Sequence, residues 1–466
     1  MAATGVKKGI ALIMLANLIN LIIGLVNGFV IPKFLSVESY AMIKTFTLYG
    51  TYAGFFHLGY LDGMYLKYGG KRLSEVSPSE YGTDFWNVSL MQVLFSIIVI
   101  LLGVFYEDFV LSSFGVVLFF RNIASCFSMF FQATGEFKLY SSILNYGTIL
   151  SLFLSLVLIF IIKTDNYRLY ISAQVFSSIV ITLYLALILN SKIGYLSQIH
   201  LSIDAFKENI SSGFVLMLGN FSNNLFTSID RWIIKIFMTT LHFAAYSFAA
   251  SVDSLITVFI TPLYITLYNE FCKDHSKERI IYIKKYVLLW GCIIVLFAFP
   301  AKWVVQHYMV KYEASISLVF VLASTQVFYA IIKGVYVNYF KALKQQKAYF
   351  FQILLMLAIS VITGLVMYFV FKSMLAVAFA ALVVSVVWLI INEVKFKEIR
   401  FKWREWMYLI VLSITYLYCG LFLSSFLGGV IYMVILLVMS FCFLRPQVQA
   451  LVTMAQKKIF FYIHRL

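Results

Sequence analysis

Apolar runs of 18 or more residues recur along this chain of 466 residues, and they restrict its fold more than any other feature. Each run is long enough to cross a hydrocarbon core of about 30 Å as a helix. Hydrophobic residues make up 62% of the sequence and charged residues only 12%, against about 25% charged in a typical soluble domain. The sequence therefore predicts an all-α polytopic membrane protein.

About 14 spans of sufficient length can be drawn. They cover roughly 9–32, 39–62, 85–106, 109–132, 141–162, 168–190, 211–237, 242–268, 283–302, 313–340, 349–371, 374–392, 406–424 and 427–444. Between the sixth and seventh spans, residues 192–210 place apolar side chains among polar ones. That spacing favours an amphipathic helix lying at the membrane interface.

Two polar patterns occur twice at nearly the same separation. Residues 14–20 (MLANLIN) recur as 217–223 (MLGNFSN), and the same offset relates Asn27 to Asp230. A second echo relates 131–140 to 340–349. Repeats in the same order indicate a duplicated unit, which in an apolar chain is typical of transporters with a site between the halves.

This duplication predicts how the chain is divided. We expect an N-terminal lobe of six helices over 1–191 and a pseudo-symmetric C-terminal lobe of six helices over 211–392, joined by the linker 192–210. An extra helix pair would occupy 393–444. The remainder, 445–466, carries Lys457 and Lys458 among aromatic residues, a pattern that indicates a basic amphipathic tail on anionic lipid.

The positive charge is distributed unevenly between the connections. The formal net charge is +16, and about 25 of the Lys and Arg residues lie at the termini and in alternate connections, which the positive-inside rule places in the cytoplasm. Both termini are therefore predicted to be cytoplasmic. The net positive charge is explained by the orientation of the chain in the membrane, and we do not take it as a sign of nucleic-acid binding.

Three cations are candidates for binding an anionic substrate. Arg121 lies halfway along an apolar span, where a charge costs about 2.5–3.5 kcal/mol and indicates function by default. Its planar guanidinium suits a lipid pyrophosphate, although a buried ion pair with Asp253 is an alternative. Lys333 maps close to Arg121 on the equivalent helix of the second half, with snorkelling to the surface as its alternative. Arg231 is the third.

Hydrogen-bonding side chains form stripes on two equivalent spans. On the seventh span, five residues share one helical face: Asn220, Asn223, Asn224, Thr227 and Arg231. The counterpart on the first span consists of Asn17, Asn20 and Asn27. Such stripes favour a water-filled cavity that contacts sugars. Interhelical hydrogen bonding, worth about 0.6 kcal/mol per bond, is the alternative.

Three acids within the spans are candidates for ion coupling. Asp253, Asp230 and Asp62 could each take part in coupling to H⁺ or Na⁺. The sequence contains no Walker pattern, no H-E-x-x-H and no acidic cluster in a long loop. These absences exclude an ATPase and lead us to expect neither a catalytic residue, a metal ion nor an organic cofactor.

Several short segments resemble the polysaccharide flippases of the multidrug/oligosaccharidyl-lipid/polysaccharide (MOP) superfamily. In the first half these are 17–20 (NLIN), 31–35 (IPKFL), Tyr40 and 58–60 (LGY). In the second half, 228–234 (SIDRWII) followed by 245–249 (AYSFA) resembles the Asp-Arg signature of that family. The chain departs from the family pattern in having few cations at mid-membrane depth.

This resemblance implies a function as well as a fold. It implies two six-helix lobes around a central cavity, and alternating access that carries an undecaprenyl-pyrophosphate-linked oligosaccharide to the periplasmic leaflet of a bacterial inner membrane. Wzx-type flippases perform this step for O-antigen repeat units in lipopolysaccharide biosynthesis. A polysaccharide polymerase and a chain-length regulator would be candidate partners.

Two other functions are compatible with a chain of many spans. A drug–cation antiporter of the MATE type, from the same superfamily, would normally have 12 helices and an acidic cavity. An O-antigen polymerase or ligase would be an enzyme with a long outer loop bearing Arg and His, and no predicted connection is long enough.

Overall fold

The structure is a computed structural model that describes residues 21–274, 276–450 and 453. Side chains are described for all of these except 137–145, 262–263, 265–266 and 269. The described part of the chain forms consecutive helical segments, which we number α1 to α14. The first seven are α1 (Leu21–Phe34), α2 (Val37–Gly50 and Tyr60–Tyr68), α3 (Pro78–Phe105), α4 (Phe109–Ala133), α5 (Phe137–Val157, continued by Leu158–Ile162), α6 (Tyr167–Ile193) and α7 (Ile203–Phe226 and Ile229–Phe237).

The remaining segments run almost without interruption to the end of the described residues. They are α8 (Thr240–Lys273), α9 (Lys277–Tyr308), α10 (Val310–Ala342), α11 (Gln346–Phe371), α12 (Met374–Lys395), α13 (Trp403–Phe422) and α14 (Ser425–Phe443). As far as the residues are described, each predicted span corresponds to one of these segments, and within this part of the chain 10 helices are long and apolar enough to cross a membrane. The prediction of an all-α, multi-pass membrane protein is confirmed.

The segment between α6 and α7 differs from the predicted interfacial helix over 192–210. The helix α6 ends at Gly194, whose positive φ of 72° terminates it, as glycine commonly does. A short turn, Tyr195–Ser197, follows, and α7 begins at Ile203 with the Ser202 hydroxyl accepting from the amide of Ala205. No single helix covers 192–210, because glycine and a side-chain cap divide it.

Contacts divide the chain into two compact units, Met1–Ser228 and Ile229–Leu466. The boundary coincides with the interruption of α7 at Thr227 and Ser228. The longer first segment of α7 therefore belongs to the N-terminal unit, and the C-terminal unit includes α13 and α14. The lobe boundaries predicted at 191 and 211 remain predictions. Most of the predicted tail, 451–452 and 454–466, lies outside the described residues.

The helix α2 is interrupted inside the N-terminal unit. Its first segment ends at Gly50, a 3₁₀ turn covers Ala53–His57, and the chain then passes through Leu58 and Gly59 with φ of 50° and 85°. The side-chain amide of Asn122 donates to the carbonyl of Ala53 at 3.0 Å. That of Gln92 donates to Phe56 at 3.0 Å. Polar side chains thus satisfy the carbonyls that the interrupted helix leaves without partners.

The second segment of α2 packs against α7 through glycine. A Cβ at Gly213 would meet the backbone of Gly59 and Gly63, so the two helices approach at backbone distance, as small residues permit in membranes. The buried carboxylate of Asp84 locks this contact. It accepts from Lys67 at 2.8 Å and from Asn209, near the start of α7, at 2.9 Å. These contacts fix α7 to the N-terminal unit.

In the C-terminal unit, two buried lysines of α9 bind the part of the chain that runs from α12 to the end of α13. The ammonium of Lys284, on α9, contacts Glu393 at 2.6 Å and the carbonyl of Ile399 at 2.9 Å. Lys302, only 6% exposed, donates to the carbonyls of Gly420 and Leu423, both at 2.7 Å. These two carbonyls lie at the end of α13, where a helix leaves acceptors without partners.

The glycine contact between α2 and α7 gives a test of the fold. Gly213→Ala places a methyl group against backbone that cannot move aside, and we expect destabilisation of about 1–3 kcal/mol. The melting temperature of the purified protein in detergent measures this loss. Gly291→Ala is the matched control, since its Cβ would meet nothing closer than 3.4 Å. Equal melting temperatures for both variants would contradict the contact.

Candidate functional site

A cavity of about 290 Å³ lies inside the N-terminal unit. Five helices line it: α1 contributes Asn27, α2 contributes Lys44, α4 contributes Arg121, and α5 and α6 contribute mainly serines and threonine. On α2 the lining residues fall at positions 40, 43, 44 and 47, the spacing of one helical face. The cavity therefore results from polar faces on several helices that turn towards the same space.

Among the predicted site residues, Arg121 lines this cavity and has a well-defined position in it. Its guanidinium lies so close to Gly50 that a Cβ there would collide with Nη1. Because Gly50 is the last residue of the first α2 segment, the charge lies at the negative end of a helix. Among the described residues of its own unit, no carboxylate is within ion-pair distance of Arg121. The guanidinium is thus stabilised without an acid and is accessible from the cavity.

Lys44, Asn27 and Gln174 complete the charged and amide groups of the cavity. The ammonium of Lys44 lies 5.2 Å from the ring centroid of Tyr40, within the range of a cation–π contact. In the described structure no hydrogen bond occupies the side-chain amide of Asn27 or Gln174. Asn27 also lies in a π-helical turn, Val26–Val30, an irregularity frequent at functional sites.

The charge of this lining has one sign. Its described residues include two cations, Arg121 and Lys44, and no Asp or Glu. Taking cations out of water is costly unless an opposite charge or strong acceptors replace the hydration. A cavity of this kind therefore suits an anion, and the planar fork of Arg121 suits the oxygens of a phosphate or carboxylate.

A second polar cluster lies in the C-terminal unit. Asp253 on α8 accepts from the amide of Gln326 on α10 at 2.8 Å, and its other oxygen is buried without a described hydrogen-bond partner. Lys333 lies in electrostatic range of this carboxylate, and its ammonium is 5.1 Å from the centroid of the Tyr329 ring. Lys333 occupies a π-helical turn, Ile332–Tyr336. Lys333 therefore lies within electrostatic range of an acid of its own unit without forming a described ion pair with it.

Asp230 and Arg231 lie on the short second segment of α7. The Asp230 carboxylate accepts from the Tyr246 hydroxyl at 2.7 Å and from the backbone amide of Arg231 at 2.8 Å. The predicted single face of five residues along the seventh span is wrong for Arg231. The helix ends at Phe226 and restarts at Ile229, in the other unit.

The asparagine stripe on the first segment of α7 does not reach the cavity of Arg121. Asn220 donates to the buried Asp62 at 3.4 Å and Asn224 donates to the carbonyl of Thr51 at 3.5 Å, both at the limit of a hydrogen bond. Asn223 and Thr227 continue the same stripe, which is largely exposed. Asn17 and Asn20 lie outside the described residues.

Comparison with known proteins identifies the fold. No protein-family model matches the chain and no curated protein matches its sequence. The lipid II flippase MurJ, in an inward closed conformation, matches with a TM-score of 0.71 and 13% identity over 93% of this chain and 99% of MurJ. An inward-facing multidrug resistance MATE transporter matches with a TM-score of 0.55 and 12% identity, covering 82% of this chain and 95% of the transporter.

The chain has the same fold as these two solved structures. At these identities the likeness concerns the arrangement of helices, so the roles of individual side chains in this chain rest on its own geometry. Our sequence analysis did not select Lys44. The argument used for Arg121, that a charge inside an apolar span indicates function, would have found it, because Lys44 lies inside the predicted second span. The sequence also gave no signal for Gly50, whose role depends on a partner 71 positions away in the chain.

The close contact between the Arg121 guanidinium and Gly50 can be tested by mutation. Gly50→Ala should leave the fold intact, because the colliding atom is the end of a flexible side chain, while it displaces the charge. Binding of inorganic pyrophosphate to the purified protein, measured by calorimetry, should weaken about tenfold. Gly54→Ala is the matched control, since its Cβ comes no closer than 3.6 Å to His57. Unchanged pyrophosphate affinity in Gly50→Ala would refute the role of this contact.

Proposed function

We propose that this protein is a flippase for an undecaprenyl-pyrophosphate-linked oligosaccharide, such as an O-antigen repeat unit. It would carry the headgroup from the cytoplasmic to the periplasmic leaflet of a bacterial inner membrane by alternating access. The observation that carries the proposal is the acid-free lining of the N-terminal cavity, in which Arg121 has no described ion-pair partner in its own unit. Such a site is costly to build unless an anion enters it.

The chemistry of the headgroup matches this cavity. A pyrophosphate diester carries two negative charges, and the donors of Arg121 and Lys44 can neutralise them when the cavity opens to the cytoplasm. Asn27 and Gln174 supply amides for sugar hydroxyls. Since bound charges in a desolvated cavity attract more strongly than in water, the headgroup can leave the aqueous phase while the prenyl chain stays in the bilayer.

The structural comparison supports a lipid-linked substrate over a drug. The lipid II flippase matches 93% of this chain and the MATE transporter 82%. The difference, about a tenth of the chain, is comparable with the length of α13 and α14. A MATE-type antiporter for cationic drugs would also need negative charge in its cavity, whereas this cavity has two cations.

The connections argue against a polymerase or ligase. The longest between the described helical segments cover 69–77 and 194–202, too short to form an extramembrane active site. The cluster around Asp253 offers a carboxylate with one unpaired oxygen, and we propose it as the site at which H⁺ or Na⁺ couples to transport. Asp230 and Asp62 remain further candidates.

The flippase proposal is tested in a strain that lacks the gene. We expect loss of the O-chain, with lipid-linked repeat units accumulating in the cytoplasmic leaflet. Plasmid-borne Arg121→Ala should fail to restore export despite normal membrane insertion, and Arg121→Lys should restore it at most in part, because lysine lacks the bidentate fork.

Arg168→Ala serves as the matched control for these variants. Arg168 lies on α6 of the same unit but is exposed and outside the cavity lining, so its removal should leave export intact. Full export by Arg121→Ala would exclude the proposed role of that residue. Single repeat units on the lipid A core without a ladder would indicate a polymerase and overturn the assignment.

A further inference from the structure

The hydroxyl groups around the N-terminal cavity are restricted in how they can bind a ligand. The hydroxyls of Ser155, Ser177 and Ser178 donate to the carbonyls of Ser151, Ala173 and Gln174, at 2.9, 2.8 and 2.9 Å. Thr47 and Tyr170 behave in the same way, donating to the carbonyls of Ile43 and Thr164 at 2.9 Å. With its only hydrogen committed, each oxygen can offer the cavity lone pairs alone.

Apart from the amides of Asn27 and Gln174, these lining residues present two opposite kinds of group. Arg121 and Lys44 are pure donors with positive charge, and the five committed hydroxyls are pure acceptors. An inorganic pyrophosphate satisfies the cations but has few hydrogens for the hydroxyl oxygens. A neutral sugar satisfies the hydroxyls but brings no negative charge to Arg121. Buried groups left unsatisfied cost affinity, so neither ligand alone fits the lining.

The size of the cavity limits the ligand further. Its volume of about 290 Å³ falls just below the range of roughly 300–1,000 Å³ typical of pockets for drug-sized ligands. A single sugar ring with one charged substituent is of that scale, whereas a repeat unit of several sugars is not. The distal sugars of a longer oligosaccharide would have to lie outside this cavity.

From donors, acceptors and volume together, we infer that the N-terminal cavity is a recognition site for one hydroxyl-bearing sugar ring with an anionic group attached to it. The anion binds Arg121 and Lys44, and the ring hydroxyls or an N-acetyl N–H donate to Ser155, Ser177 and Ser178. The inference rests on the proposed flippase function and names the part of the substrate that the cavity recognises. Either a sugar phosphate at the lipid end or a uronic acid within the repeat unit has this chemistry.

Direct binding to the full-length protein in detergent tests the inference without transport. The probes are the 1-phosphates of glucose, galactose and their N-acetylamino forms, glucuronic and galacturonic acids, the corresponding neutral sugars, and inorganic pyrophosphate. We expect at least one sugar anion to bind about tenfold or more tightly than both the neutral sugar and pyrophosphate, since two sets of hydrogen bonds form. If only sugar phosphates bind, the recognised sugar is the one at the lipid end of the substrate. If only uronic acids bind, the recognised sugar lies within the repeat unit.

Two variants separate the two halves of the site. Ser178→Ala removes an acceptor and should weaken the sugar anion several-fold while leaving pyrophosphate unchanged. Arg121→Gln should weaken both. Ser212→Ala is the matched control, because Ser212 donates to the carbonyl of Glu208 in the same way but lies on α7, outside the cavity lining.

The inference is overturned if neutral sugars or pyrophosphate bind as tightly as every sugar anion, if no probe binds, or if Ser178→Ala affects pyrophosphate and sugar anion equally. Failure of the flippase function is a separate result. Selective binding of a sugar anion, together with an unchanged distribution of lipid-linked repeat units in the deletion strain, would refute the transport proposal and leave the recognition site standing.

Discussion

The structure depends on one constraint, which is that backbone polar groups in a bilayer must be satisfied within the protein. At two points where a helix of this chain is interrupted or ends, side chains supply the missing bonds. Asn122 and Gln92 satisfy the carbonyls of the broken helix α2, and Lys302 satisfies those at the end of α13. Since these side chains come from other helices, each irregularity also fixes the packing of its neighbours.

Buried charges follow the same logic with different partners. Asp84 and Lys284, 0% and 1% exposed, are each neutralised by an opposite charge and further hydrogen bonds. Lys302 is held by carbonyls at a helix end instead. Arg121 differs from these three because it is exposed to a cavity and lies beside the helix end at Gly50. Among these four, Arg121 is the charge whose surroundings leave room for a ligand, which is why the functional argument rests on it.

The sequence predicted a succession of apolar helices and singled out Arg121 and Asn27, because length, hydropathy and an isolated charge are local properties. It did not predict the interruptions of α2 and α7. The interruption of α2 depends on Leu58 and Gly59 adopting left-handed conformations and on the distant amides of Asn122 and Gln92, which satisfy the exposed carbonyls. The sequence analysis also grouped Arg231 with Asn220 and Asn224 on one helical face. That grouping assumed a continuous helix, and it fails because the helix is interrupted between these residues.

Hydropathy by itself determined that this chain is a bundle of membrane-spanning helices, because each apolar run must satisfy its own backbone in lipid and only a helix does so. Tertiary structure alone decided that Lys44 and Arg121, 77 positions apart in sequence, share one cavity whose described lining contains no acid. It likewise decided that Lys333, the predicted counterpart of Arg121, lies within electrostatic range of Asp253. Such juxtapositions depend on which helix faces meet, and helix packing fixes them through contacts between residues far apart in the chain.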